Sequence, residues 1–275
     1  MFKFPLFVSA ASSAAAMVFV GHAEAAIFAS GDVASQTSGL ASPYDNPGAA
    51  LGPPSPITGV GSAFPSVLSP FNPAYEAKDI VEIGSGGQLT LQFPNVVKVG
   101  GGSEIGVISN NFLIDADGNG DNTNPAGVFG SNTPGGGSAQ VLVSDDGVNF
   151  KSIGTHVFNE PANYFLDAVS PYQATAGSKV ADFGVPFVHP LSDFNGLNWT
   201  QTLALLGSSG GGTWLDLAPS GHSQVDYIQF RVPAGGELVI DAVSINNNDV
   251  GAAVPEPGGL ALLAALFPLL RRPRR

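Results

Sequence analysis

The sequence predicts an all-β protein, an antiparallel β-sandwich with long loops, and three observations carry that expectation. Of 275 residues, 36 are Gly and 22 are Pro, about a fifth of the chain, which is too much backbone punctuation for a mainly helical fold. Apolar residues nevertheless make up 44% of the chain, with 18 Phe, more than a disordered chain carries. Apolar and polar residues also alternate with a period of two in several separate runs, the pattern of half-buried strands. The chain has no Cys, which excludes disulfides, thiol catalysis and cysteine metal sites.

Taken in order, residues 1–25 begin with Lys3, continue through an apolar stretch rich in Ala and Ser, and end at Ala23-Glu24-Ala25. A basic start, an apolar middle and a small-x-small end predict a cleaved secretory signal peptide. Residues 39–73 carry eight Pro with Gly between them, which predicts an irregular wrap built of turns and extended segments. Tyr44, Leu51, Ile57, Phe64, Leu68, Phe71 and Tyr75 are spaced along it to pin it to a sheet.

Strands are then predicted at 79–83, 88–93, 104–109, 139–144, 150–154, 225–232 and 238–245. Gly84-Ser85-Gly86-Gly87, Asp145-Asp146-Gly147 and Pro233-Ala234-Gly235-Gly236 fit hairpin turns between successive members of this series. Leu89, Leu91, Phe93, Val141, Val143, Ile228, Phe230, Val239 and Ala242 are the expected core. Between residues 159 and 218 the pattern fades, and 163–169 and 199–206 fit either short helices or strands. No repeat or interior linker divides residues 26–251, so they are expected to form one β-sandwich domain.

The C-terminal residues 254–275 read Val-Pro255-Glu256-Pro257, then an apolar run, then Arg271, Arg272, Arg274 and Arg275 around Pro273. The apolar run is at most about 20 Å long as a helix, short of the ~30 Å hydrocarbon core. The terminal arginines favour a cytoplasmic end and an exported body. The order of Pro-Glu-Pro, short apolar helix and Arg cluster resembles the PEP-CTERM sorting signal of Gram-negative exported proteins, although Pro268 interrupts the apolar run. That resemblance implies recognition by an exosortase-type processing enzyme, transient anchoring in the inner membrane, and a destination in the cell envelope or an extracellular matrix containing polysaccharide.

The body carries a resemblance of its own. Ala50-Leu51-Gly52-Pro53-Pro54, the run Val81 to Leu91, Val143-Ser144-Asp145-Asp146-Gly147-Val148-Asn149-Phe150, Val225-Asp226-Tyr227 and Ile240-Asp241-Ala242-Val243 look like the elements of a jelly-roll module of bacterial surface proteins. That module is similar to galactose-binding-like and discoidin-like domains.

Without residues 1–25 and 254–275 the body keeps 20 acidic against 5 basic residues, a net charge near −15. Nucleic acid is therefore excluded as a partner, since phosphate binding needs Lys and Arg to displace counterions. Neutral glycans, or anionic ones bridged by a divalent cation, remain compatible.

Asp115, Asp117, Asn119 and Asp121 place oxygen side chains at alternate positions with Gly between, as in the first half of an EF-hand-type Ca²⁺ loop. The acid of the twelfth position is missing, since Ala126 stands there. The pattern therefore admits two readings, a bound Ca²⁺ completed by ligands such as Asp145 or Asp146, or a solvated acidic turn.

Gly207-Ser208-Ser209-Gly210-Gly211 matches the nucleophile-elbow spacing but lacks the following helix and any βαβ context. His156, His189 and His222 have no metal-ligand spacing. Asp226 and Asp241 sit among apolar strand residues, an environment that raises a carboxyl pKa; a cross-strand hydrogen bond and a general acid both fit. Trp199, Trp214, Tyr164 and Tyr172 lie in the loop-rich segment and are either sugar-stacking faces or core. With no catalytic set, the expectation is a non-enzymatic exported surface or matrix protein, structural or polysaccharide-binding. The alternative is a secreted carbohydrate-active hydrolase using paired carboxylates.

Overall fold

The computed structural model describes residues 26–60, 63–114 and 137–254. Residues 1–25, where a signal peptide is expected, the Asp115–Asp121 motif, and residues 255–275, where a sorting signal is expected, lie outside these residues. The described strands are β1 (Ile27–Phe28), β2 (Gly31–Asp32), β3 (Ser38–Leu40), β4 (Ile57–Val60), β5 (Ala63–Val67), β6 (Val81–Lys98) and β7 (Ile105–Ser109). They continue with β8 (Ser138–Ser144), β9 (Lys151–Val157), β10 (Thr213–Leu215), β11 (Gln224–Arg231), β12 (Leu238–Ile245) and β13 (Val250–Ala253). All the ladders between these strands are antiparallel. The main sheet follows the order β10-β7-β12-β6-β11-β8-β9 and folds over one core, so the molecule is all-β, as the alternation predicts.

The 18-residue β6 organises the fold. One of its edges pairs with β12 over Val81–Ile83 and then with β11 from Gln88 to Lys98. The other edge takes β3, β2 and β13 in turn. Side chains of the alternate residues Leu89, Leu91 and Phe93 meet those of Ile228 and Phe230 on β11 and Val141 and Val143 on β8, all 0% exposed. The nine residues expected inside are all buried.

Two of the three expected hairpins are not hairpins. Gly84–Gly87 is a bend inside the continuous β6, and β3 crosses it, with Ser38 opposite Gln88 and Leu40 opposite Ile83. A Cβ on Gly87 would stand 2.6 Å from the Gly39 carbonyl oxygen, so glycine is what allows the two backbones to pass this closely. Nor does residues 233–236 join paired strands: β11 and β12 lie end to end along the same edge of β6. The two glycine-rich segments instead face each other, where Gly235 N–H donates to Ser85 Oγ at 2.7 Å and Val232 N–H to the Gly87 carbonyl at 2.9 Å. Turn-forming composition marks a true turn at residues 233–236 without saying which strands it connects, and at residues 84–87 the expected turn is replaced by continuous strand.

The third hairpin is present between β8 and β9. Ser144 Oγ accepts from the N–H groups of Asp146 and Gly147, and Asp146 Oδ1 accepts from those of Val148 and Asn149 at 2.8 and 2.7 Å. These donors hold the Asp146 carboxyl far below the ordinary carboxylate range. Its oxygens are thus committed to the turn.

The wrap is pinned at Leu68 and Phe71, which are buried, and at Tyr44, Leu51 and Ile57, which pack on the cores; the Phe64 side chain lies outside the described residues. The wrap also contains the two-stranded ribbon β4–β5, which its proline content hid. Pro65 is tolerated in β5 because both strands of a two-strand ribbon are edges. In the weakly patterned segment, residues 199–206 form the helix α1 (Trp199–Leu206), capped by a reciprocal Asn198–Gln201 box, which satisfies two of the free N-terminal donors. Its buried face packs into a second cluster with Val67, Phe71, Phe165, Phe187 and Phe194.

Candidate functional site

The functional candidates stand on the outward face of β12. Leu238 and Ile240 point into the core, so Glu237, Val239 and Asp241 point away from it. On the neighbouring strand Val81 and Ile83 are core residues, which turns Glu82 outward, directly opposite Val239. Glu237 is diagonal to Glu82 on the same face. Two acids and an apolar floor thus follow from strand register alone.

The wrap builds walls around this floor. Glu82 N–H donates to the Tyr44 carbonyl at 2.9 Å, fixing Tyr44 beside it, and Tyr44 packs against Ala74, Ile80 and Val239. Tyr75 and Phe112 complete a cleft of about 360 Å³, lined also by Ile80, Glu82, Asn110, Glu237 and Val239. Burial, and then the charge of Glu237, push the Glu82 carboxyl above the ordinary range. Burial likewise raises the Tyr75 phenol, which is neutral at physiological pH. Among the described residues lining the cleft none is basic.

Asp241 lies next along the same face, under the wrap. The ladder between β12 and β7 slips there, Ile240 pairing with Ser109 and Ala242 with Ile108, and a bulge of this kind re-aims the extra side chain. Asp241 is 2% exposed, and its Oδ2 has no hydrogen-bond partner. It borders a cavity of about 250 Å³ with Ser55, Lys78, Asp79 and Tyr164. Lys78 Nζ lies 2.9 Å from both Asp79 oxygens and 2.9 Å from Glu76.

Desolvation drives the Asp241 carboxyl well above its usual value; the Ser55 N–H opposes the shift and the Asp79 charge adds to it. A carboxyl raised on folding binds its proton more tightly in the native state, so its contribution to stability is fullest at low pH and declines as pH rises above the unfolded value near 4. Relative to wild type, Asp241→Asn is therefore expected to gain melting temperature progressively as pH rises from about 4 to about 8. Thermal melts across that range check it, and a difference independent of pH would contradict a carboxyl protonated in the fold.

Asp226 also has a raised carboxyl, from burial and then the charge of Asp145. It lies in a β11 bulge facing the Gln92–Val97 end of β6, whereas Asp241 follows Ile240 at the Val81 end. The two do not converge. His222, largely buried, lies 3.8 Å from Asp145 through Nδ1, and no group of three or more metal-ligating side chains is found among the described residues.

The four aromatic residues singled out in the sequence do not form one face. Trp199 is 4% exposed, donates through Nε1 to the Ala168 carbonyl at 2.9 Å and packs on Phe71, so it belongs to the core. Trp214 is half-buried against Gly106 and donates to the Gly211 carbonyl. Tyr164 packs at a tilt against Phe165 and Phe183 and reaches the Asp241 cavity. Tyr172 is exposed elsewhere on the surface. Ser209 of the elbow-like motif is buried and donates to the Val185 carbonyl, directly after α1 rather than before a helix.

The sequence assigns Tyr44 and Tyr75 only to pinning the wrap and gives Glu82, Glu237 and Phe112 no site role. The available clue was two acids at outward positions of apolar strands, but their meeting depends on the β6–β12 register. No family model matches the chain, and no curated protein or solved structure matches it.

Proposed function

We propose that this chain is an exported protein of the bacterial envelope or extracellular matrix that holds polysaccharide in the cleft formed by Tyr44, Tyr75 and Phe112. The observation that carries the reading is an open cleft combining three aromatic side chains with two carboxylates, the pairing of apolar faces and hydrogen-bond acceptors that a sugar ring uses. Pro255, Glu256 and Pro257 with Arg271, Arg272, Arg274 and Arg275 supply the sorting device, read by an exosortase-type enzyme during transient insertion in the inner membrane. Ca²⁺ at Asp115, Asp117, Asn119 and Asp121 belongs to the same proposal, as a stabiliser of an exported domain.

Affinity electrophoresis of the full-length chain through polysaccharide-containing gels tests the binding. Tyr44→Ala with Tyr75→Ala is expected to weaken retention about tenfold, two stacking contacts at ~0.5–1.5 kcal/mol each. Equal retention of the double variant would remove the cleft from the account. The presence of two carboxylates in one cleft favours hydrolysis as the second reading. It predicts new reducing ends from the retained polysaccharide and their loss in Glu82→Gln.

A further inference from the structure

We propose that the cleft selects a protonated amine, specifically the ammonium group of an amino sugar within a deacetylated, cationic polysaccharide. This rests on the polysaccharide reading above and narrows it to a substrate class. Three observations converge. Glu82 on β6 and Glu237, the residue preceding β12, line one cleft with no basic residue among its described lining, so two like charges meet there with no counter-charge among those residues. Tyr44, Tyr75 and Phe112 share that cleft, and aromatic faces attract cations through the ring quadrupole. The body as a whole carries 20 acids against 5 bases, a field that draws polycations and repels anionic glycans.

A neutral sugar would use the rings and donate hydroxyl hydrogen bonds to the carboxylates, but would leave their like charges uncompensated. A lysine side chain would compensate the charges and could approach a ring through its ammonium, but has no pyranose C–H face to stack on the same ring. An amino-substituted pyranose does both, stacking its C–H face on a tyrosine while its ammonium sits between Glu82 and Glu237. The exposed position of Glu237 leaves the cleft open at its rim, so a residue inside a polymer can enter without a free chain end.

Calorimetric titration of the full-length chain at 0.15 M salt, with β-1,4-linked glucosamine pentamer, its fully N-acetylated counterpart and pentalysine, decides the matter. The glucosamine pentamer is expected to bind about tenfold more tightly than either of the others. Glu82→Gln with Glu237→Gln should erase its advantage over the acetylated pentamer. Asp193→Asn with Asp216→Asn, which removes the same charge from exposed positions elsewhere, should preserve it. Equal affinity for the two pentamers overturns the amine selection and leaves polysaccharide binding standing. Pentalysine binding as tightly as glucosamine pentamer overturns it in favour of simple charge attraction. Binding of neither sugar overturns the polysaccharide reading and this proposal with it.

Discussion

Phe230→Ala is expected to lower the unfolding free energy by about 3–5 kcal/mol, the range for removing a buried aromatic ring. Phe230 is 0% exposed near the C-terminal end of β11, paired with Leu89 of β6 on one side and Val141 of β8 on the other. Its ring meets Phe158 edge-on, with centroids 5.8 Å apart and planes at 73°. Close packing leaves the surrounding strands little room to collapse into the space, because both are held by their own ladders. Urea denaturation of the variant measures the loss. A double-mutant cycle with Phe158→Ala should return a further coupling of ~0.5–1.5 kcal/mol for the edge-on pair, whereas additive effects would mean that the two rings contribute only buried area.

Glu104→Gln is expected to cost about 2–3 kcal/mol although only one oxygen is exchanged for an amide. Glu104 is fully buried, yet its Oε1 accepts from the N–H groups of Gly100, Gly101 and Gly102 at 2.7, 2.8 and 3.0 Å, and its Oε2 from Leu217 N–H at 3.0 Å. Burial alone pushes this carboxyl up, but the four backbone donors together outweigh it and hold it below the ordinary range. The glutamine amide turns donors toward donors on one side and leaves at least one buried N–H without an acceptor. A depressed folded pKa means that the stabilisation is complete above the unfolded value near 4.3 and is lost as pH falls through the folded value. The gap between wild type and Glu104→Gln should therefore be widest near neutrality and close on acidification below about pH 4. A gap that persisted in acid would show that the carboxylate charge is not what the loop 100–102 binds. Asp241 and Glu104 make an opposed pair: both are buried acids, one short of donors and one surrounded by them, so acidification moves their contributions in opposite directions.

That this protein is all-β, and which strand residues face inward, is legible in the amino-acid sequence. Leu89, Leu91, Phe93, Ile228 and Phe230 alternate with polar neighbours, and a period of two is a local property of the chain. It also marked where the backbone must turn, because Gly, Pro and Asp carry their conformational preferences with them. The tertiary structure alone decided what those turns join. Gly84–Gly87 became a bend because β3 and the segment after β11 converge on it from both edges of β6, and partner choice between strands far apart in the chain is not encoded in either one alone. The cleft has the same origin. Glu82 and Glu237 are 155 positions apart, and they share a face because Leu238 pairs with Ile83 and not with a neighbour one residue away; a single-residue slip would have turned one of them into the core.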